Sequence, residues 1–259
     1  MAIQVSIKEL LEAGAHFGHQ TSRWNPKMRK FIYKKRNGIH IIDLQKTLGQ
    51  VKIACQFLAD CVAQGKEVLM VGTKKQAKEI VKDAAQRANV YWVTERWLGG
   101  TLTNLQTIRR SVKRLYEIEE KLAGQTTTYI SKKEASALTR EKNKLRKNLD
   151  GIHKMQKLPG ALFVIDPNRE KIAIEEARRL GIKIVALIDT NCDPDKIDYP
   201  VACNDDAIRT ISLLVSKVEQ AITEAKAIYS KEASSDEPQE TPEIPESPVE
   251  TVPAVEGEA

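Results

Sequence analysis

What most constrains this chain is a series of short, largely apolar runs separated by stretches of helical period. The runs are Val68–Val71, Val90–Val93, Ala161–Ile165, Ile182–Ile188 and Asp198–Ala202. A strand that is apolar on both faces needs cover on both faces, and helices that alternate with such strands supply it. The pattern therefore predicts an α/β fold with a five-stranded parallel sheet between two helical layers. Thr73 and Gln76 are read as caps of a helix whose apolar face is Ala77, Ile80, Val81 and Ala84. Asp166-Pro167-Asn168 leads into a helix ending at Leu180-Gly181, and Asp205 or Asp206 is read as the cap of a long final helix.

Upstream, Ser6 and Glu9 form a capping box before Leu10 and Leu11, and Gly14 is placed to stop that short helix. A further helix is expected from about Asp43. Its residues Leu44, Leu48, Val51, Cys55, Leu58 and Val62 recur at three and four. Between the two lies residues 16–38, an aperiodic basic stretch.

Residues 104–157 break the alternation. Leu105, Ile108, Val112, Leu115, Ile118 and Leu122 make one narrow seam, and Leu138, Leu145, Leu149 and Ile152 a returning one. Gly124–Tyr129 is turn-like between them, and Ser131 with Glu134 repeats the capping-box pattern. This predicts a coiled-coil hairpin inserted between the second and third strands of the sheet. The organisation expected is a core of residues 1–103 and 158–230, an inserted hairpin over 104–157, and a disordered tail over 231–259 that is rich in Pro, Glu, Ser and Thr.

Charge follows the same division. The chain has 41 bases and 35 acids, but its last 29 residues hold one base and nine acids, which leaves 40 and 26 before them. Residues 104–157 alone carry 14 bases and 6 acids. A basic body with a basic arm suits a polyanionic partner, and an acidic tail stays off it. Cys55, Cys61, Cys192 and Cys203 form no C-x-x-C pair. Cys55 and Cys61, six apart, are expected on different faces of their helix, so a zinc ribbon or disulfide framework is not expected. There is no apolar signal region, and no apolar run reaches the roughly 18 residues needed to span a bilayer.

Four constellations could carry function. In Arg23–Arg36, the bases Arg23, Lys27, Arg29, Lys30, Lys34, Lys35 and Arg36 are interleaved with Trp24, Asn25, Phe31 and Tyr33, with no acid. Bases neutralise phosphates and aromatic faces stack on unpaired bases. Alternatively the aromatics pack inward and the bases form a solvated rim. Gly72-Thr73-Lys74-Lys75 follows the first strand, where Lys74 or Lys75 could meet a phosphate. With one glycine and neither G-x-x-x-x-G-K-[ST] nor G-x-G-x-x-G, it cannot wrap a nucleotide. Glu95–Asn104 places Arg96 beside a Gly-Gly pair; it is either a phosphate contact or a hinge that seats Trp97. Lastly, His16 and His19 with Asp189 and Asp205, and nearby Asp43, Asp193 and Asp206, could form a His/carboxylate metal site or simply cap turns. Neither a G-x-S-x-G motif nor a Cys/His nucleophile arrangement is present. Neither catalysis nor a cofactor is expected.

An ordered set of motifs adds to this reading. His16-Phe17-Gly18-His19-Gln20 runs into Arg23–Met28, followed by Arg36–Leu44, Val71–Ala77, Arg96–Gly100 and Thr107–Ser111. Phe163–Pro167, Asp189–Pro194 and Asn204–Ala207 complete it. Over residues 3–228 the chain resembles the bacterial and organellar small-subunit ribosomal protein family S-two, departing from it at Gly160 and at Ala202-Cys203. The resemblance implies a flavodoxin-like three-layer core with an inserted coiled-coil hairpin. It also implies a place on the ribosome's small subunit, contact with its rRNA and neighbouring proteins, and help in docking the mRNA-binding protein S-one. The residues expected to meet RNA are then those of 23–36 with Lys74, Lys75, Arg96, Arg109, Arg110 and Lys113. A flavodoxin-like nucleotide-binding protein or enzyme is the alternative, since fold does not fix function. A third possibility makes the hairpin a protein-docking arm.

Overall fold

A computed structural model of the chain describes residues 5–123 and 131–235. The break expected at 124–129 lies outside these residues, as does the tail beyond Ser235; residues 231–235, expected in the tail, instead continue the final helix. The five expected runs form one parallel sheet of β4 (Val68–Val71), β5 (Tyr91–Val93), β6 (Ala161–Ile165), β7 (Lys183–Ile188) and β8 (Tyr199–Ala202). Their spatial order is β5-β4-β6-β7-β8, the doubly wound flavodoxin-like order.

Side chains alternate across the sheet, so each strand feeds two cores. Met70, Phe163, Val185 and Val201 pack on one face with α2 (Leu44–Ala63), α3 (Lys78–Arg87) and α7 (Ile208–Ser235), joined by Leu10 of α1 (Ile7–Glu12). Leu69, Leu162, Ile184 and Ala186 pack on the other, under α6 (Lys171–Arg179) and the bases of α4 (Leu105–Ala123) and α5 (Lys132–Leu149). Cys55 and Cys61 both enter the first core, contrary to expectation. Helix α2 is enclosed by α1, α7 and β8 as well as by the sheet, so its buried stripe is wide enough for both.

The inserted segment is the expected pair of helices. Ile108 and Val112 of α4 share a core with Leu149, Ile152 and Met155 at and beyond the end of α5. The start of one helix and the end of the other are thus rooted together. Arg114–Glu141 at 3.0 Å and Arg146–Glu119 at 2.6 Å join them further out. Gly151 returns the chain to the sheet edge, where its carbonyl accepts from Trp92 N–H. A Cβ at Gly151 would stand 2.0 Å from the Trp92 carbonyl oxygen, which is backbone and cannot step aside. Gly151→Ala is expected to lower stability by about 1–3 kcal/mol in urea unfolding. Gly49→Ala, whose new methyl meets open space in α2, should not.

Residues 16–38 differ from the aperiodic reading. They contain β1 (Phe17–Gln20), a 3-10 turn over Pro26–Phe31 and β2 (Ile32–Arg36), and with β3 (Ile39–Ile42) they make a three-stranded antiparallel sheet ordered β1-β3-β2. The turn between β2 and β3 is Asn37-Gly38, with φ of 51° and 77°. Two successive left-handed residues of this kind are the signature of a tight hairpin. The signal was present in the sequence, masked by a strand with four exposed residues in a row.

Two assigned caps also change. Helix α3 begins at Lys78 with no side-chain cap, because Thr73 turns its hydroxyl to buried Glu170 instead. At the start of α7 it is Asn204 whose Oδ1 accepts from Asp206 and Ala207 N–H, while Asp205 points into the protein.

Candidate nucleic-acid interface

The small antiparallel sheet is built to hold a basic surface outward. Asn25 begins it: its Oδ1 accepts from Lys27 N–H, starting the 3-10 turn, and its own N–H donates to the Thr190 carbonyl at 2.8 Å. Met28 and Phe31 are buried beneath. Trp24 is half-buried and packs against His40, with ring centroids 4.8 Å apart and the planes tilted by 39°. These residues anchor the layer rather than face a partner. Tyr33, by contrast, is 68% exposed, and Lys34, Lys35 and Arg36 follow it along β2, all exposed. Lys34 Nζ lies 5.5 Å from the centre of the Tyr33 ring. Arg23, Arg29 and Lys30 are exposed beside them. Lys27 is exposed too, but its ammonium meets Asp193 at 3.1 Å and Asp195 at 2.8 Å, and those contacts raise its pKa.

The second basic surface is on α4. Arg109, Arg110 and Lys113 are exposed opposite the seam of Ile108, Val112, Leu115 and Ile118. Among the described residues none of the three forms a salt bridge. Arg96 is exposed just upstream, on a loop whose course is set by Glu176. Buried Glu176 accepts from Trp97 Nε1–H at 3.0 Å, from the N–H groups of Gly100, Leu102 and Thr103 at 2.8–3.0 Å, and from the Thr103 hydroxyl at 3.0 Å. Burial alone would raise the carboxyl's pKa, but these donors outweigh it and hold the group below its ordinary value. Sequence reasoning did not find Glu176, which reads as one more charge on an amphipathic helix.

Lys74 is the site residue placed most differently from expectation. Its side chain is 12% exposed and lies among carboxylates: Asp205 and Asp206 at 2.7 Å and Asp166 at 3.5 Å. An ammonium so committed does not reach out to a phosphate. Lys75, its neighbour, is exposed. The acids around Lys74 gather where the strands end: Asp166 follows β6, Asp189 follows β7 and Asp205 lies beyond β8. Burial, with Asp166 and Asp189 nearby, pushes the Asp205 carboxyl up to about 7. This carboxyl end is where an α/β fold would hold a nucleotide, and here it presents negative charge to any incoming phosphate. His19 joins the acids, whereas the His16 ring packs tilted against Phe17 and its Nδ1 has no hydrogen-bond partner among the described residues.

Fold and surface together define an α/β scaffold with outward basic faces and a helical arm. The family model described as Ribosomal protein S2 matches residues 10–225, and the chain belongs to that family. It is a structural constituent of the small ribosomal subunit, and its family is not one of enzymes. The match spans both basic surfaces and the arm.

Proposed function

We propose that this chain binds small-subunit rRNA through two surfaces. One comprises Arg23, Arg29, Lys30, Lys34, Lys35 and Arg36 with Tyr33; the other comprises Arg96, Arg109, Arg110 and Lys113, with Lys75 between them in sequence. The observation that carries the reading is β2: one strand sets Tyr33, Lys34, Lys35 and Arg36 in solvent while Met28 and Phe31 pin the layer below. Exposed cations held on rigid backbone can neutralise phosphates without first being ordered, and an exposed aromatic ring can stack on an unpaired base. Trp24 and Asn25 act by anchoring, and Lys74 is left out of the contact.

The three units read from the sequence, a core of 1–103 and 158–230, an arm over 104–157 and a tail over 231–259, fit this function. The arm extends the basic surface beyond the core. By fixing rRNA the protein supports mRNA recruitment, with the S-one protein as a neighbour; that part rests on family likeness. The reading as a nucleotide-binding enzyme is disfavoured by the acidic carboxyl end of the sheet.

Crosslinking in assembled small subunits tests the contact. Links from both Tyr33–Arg36 and Arg109–Lys113 to rRNA are expected. Links only to proteins along α4 would make the arm a protein-docking element, and no RNA links from β2 would overturn the reading.

A further inference from the structure

Not all of the body's basic charge lies on the two proposed rRNA surfaces. At the amino end of the parallel sheet, Lys66 and Glu67 precede β4, Tyr91 begins β5, and residues 154–160 lead into β6. These segments line an open groove of about 480 Å³. Half-buried Tyr91 and exposed Leu158 supply its apolar wall, and Lys66, Lys154 and Lys157, all exposed, supply its charge. Among the described residues none of the three lysines forms a salt bridge. The one acid lining the groove, Glu67, lies 3.5 Å from Lys226 Nζ.

Helix α7 ends beside this groove. Its Lys226 Nζ donates to the Asn89 carbonyl at 2.6 Å, just before β5. The Tyr229 hydroxyl lies against Gly65, a residue of the groove wall, where a Cβ would stand 2.9 Å from it. Ser235 closes the helix ~9 Å further on, at ~1.5 Å per residue. The 24 residues beyond it hold eight acids and no base. Glu237, Glu240, Glu243 and Glu246 recur at every third position, and so do Pro242, Pro245 and Pro248. A polyproline II chain has about three residues per turn, so that form would set the glutamates along one edge and the prolines along another. Proline-rich segments of this kind are read by aromatic-lined grooves. From Ser235 to Glu246 such a chain spans up to ~34 Å, ample to return the ~9 Å to the groove.

We propose that residues 237–248 dock in this groove of their own chain, with glutamates against Lys66, Lys154 and Lys157 and prolines against Tyr91 and Leu158. The tether makes the encounter intramolecular, and short flexible tethers give effective concentrations in the mM range, so individually weak contacts suffice. The attraction is between exposed charges, so salt weakens it. The opposite end of the sheet is no rival site, because Asp166, Asp189, Asp205 and Asp206 converge there and repel an acidic segment. The layer that carries β2 is fixed at that opposite end, where Asn25 N–H donates to the Thr190 carbonyl beyond β7. A tail held at the amino end therefore keeps its acids off Lys34, Lys35 and Arg36 and leaves those cations open to RNA.

The test uses the full-length chain at low salt and a carbodiimide, which joins carboxylates directly to amines; the links are mapped by mass spectrometry. Links from Glu240, Glu243 or Glu246 to Lys66, Lys154 or Lys157 are expected. They should form within single chains when light and isotope-labelled protein are mixed, and their yield should fall about fivefold or more at ~1 M salt. A second measurement uses the variant Glu237→Gln, Glu240→Gln, Glu243→Gln, Glu246→Gln, which leaves the body untouched. In it Lys66, Lys154 and Lys157 should be acetylated about threefold faster than in the parent, as for a groove roughly two-thirds covered, while Lys34 and Lys35 keep the parent's rate. No tail links to the three groove lysines, or equal acetylation of them in both proteins, would overturn the proposal. Links chiefly to Lys34, Lys35 and Lys113 would overturn it by placing the tail on the rRNA surfaces, and links only between chains by making the occupant a second copy's tail. No RNA enters either assay, so the result is independent of the rRNA reading.

Discussion

Glu176→Ala is expected to lower the unfolding free energy by about 3–5 kcal/mol. The carboxylate is buried and receives three backbone N–H groups, the Trp97 indole and the Thr103 hydroxyl. A hydrogen bond to a charged group contributes roughly 1.5–3 kcal/mol, and a buried donor left unpaired costs about 1–3 kcal/mol. The five are not additive, since water can reach some donors once the side chain is gone, so the loss is set well below their sum. Against a typical total of 5–15 kcal/mol this leaves a marginal fold. Glu176→Gln keeps the shape but turns two amide hydrogens toward N–H donors, and should cost less than Ala yet clearly more than zero.

The effect depends on pH in a definite sense. The folded protein holds this carboxyl below its ordinary value, so the folded state binds fewer protons than the unfolded one. Its contribution is fully present above the ordinary carboxylate range and is lost as pH falls through the folded value. Urea midpoints of the parent and of Glu176→Gln should therefore converge in acid. A Glu176→Ala loss under 1 kcal/mol at neutral pH would sink the assignment. The role is positional as well: Glu176 sets the loop from Trp97 to Thr103, which carries Arg96 at its start and launches α4 at its end.

The sheet and the arm were legible because each rests on a local pattern of residue types. Apolar runs of strand length gave β4, β6 and β7 almost to the residue, and three/four seams gave α4 and α5. Apart from the Asn37-Gly38 hairpin, whose signal was local, what escaped was set by contacts distant in sequence. Thr190 holds the N-terminal layer by accepting from Asn25 N–H through its carbonyl and from His19 N–H through its hydroxyl. Nothing near residue 190 announces this. Lys74 reads as an exposed base after a glycine turn, and only the meeting of three strand ends shows that it is a counter-ion. Charge counts find basic segments but cannot say which bases already have partners. Lys27 and Lys74 drop back for that reason, while Lys34, Lys35 and Arg36 do not.

Replacing Lys34, Lys35 and Arg36 together by Ala should weaken binding to small-subunit rRNA and flatten its dependence on salt. Each phosphate left without its cation takes about 0.9 from the slope of log affinity against log salt on the duplex-DNA scale, so three give a fall of up to ~2.7. All three side chains are exposed, so unfolding should change by no more than about 0.5 kcal/mol, and weaker binding cannot be blamed on the fold. Tyr33→Ala separates charge from stacking on the same strand. It should cost roughly 1–3 kcal/mol of affinity if a base stacks there, with the salt slope unchanged, because no cation is removed. Arg109, Arg110 and Lys113 replaced together should flatten the slope in the same way if the arm meets RNA, and leave it unchanged if the arm meets protein. A triple variant on β2 that binds with the parent's slope would remove this strand from the interface, whatever the arm does.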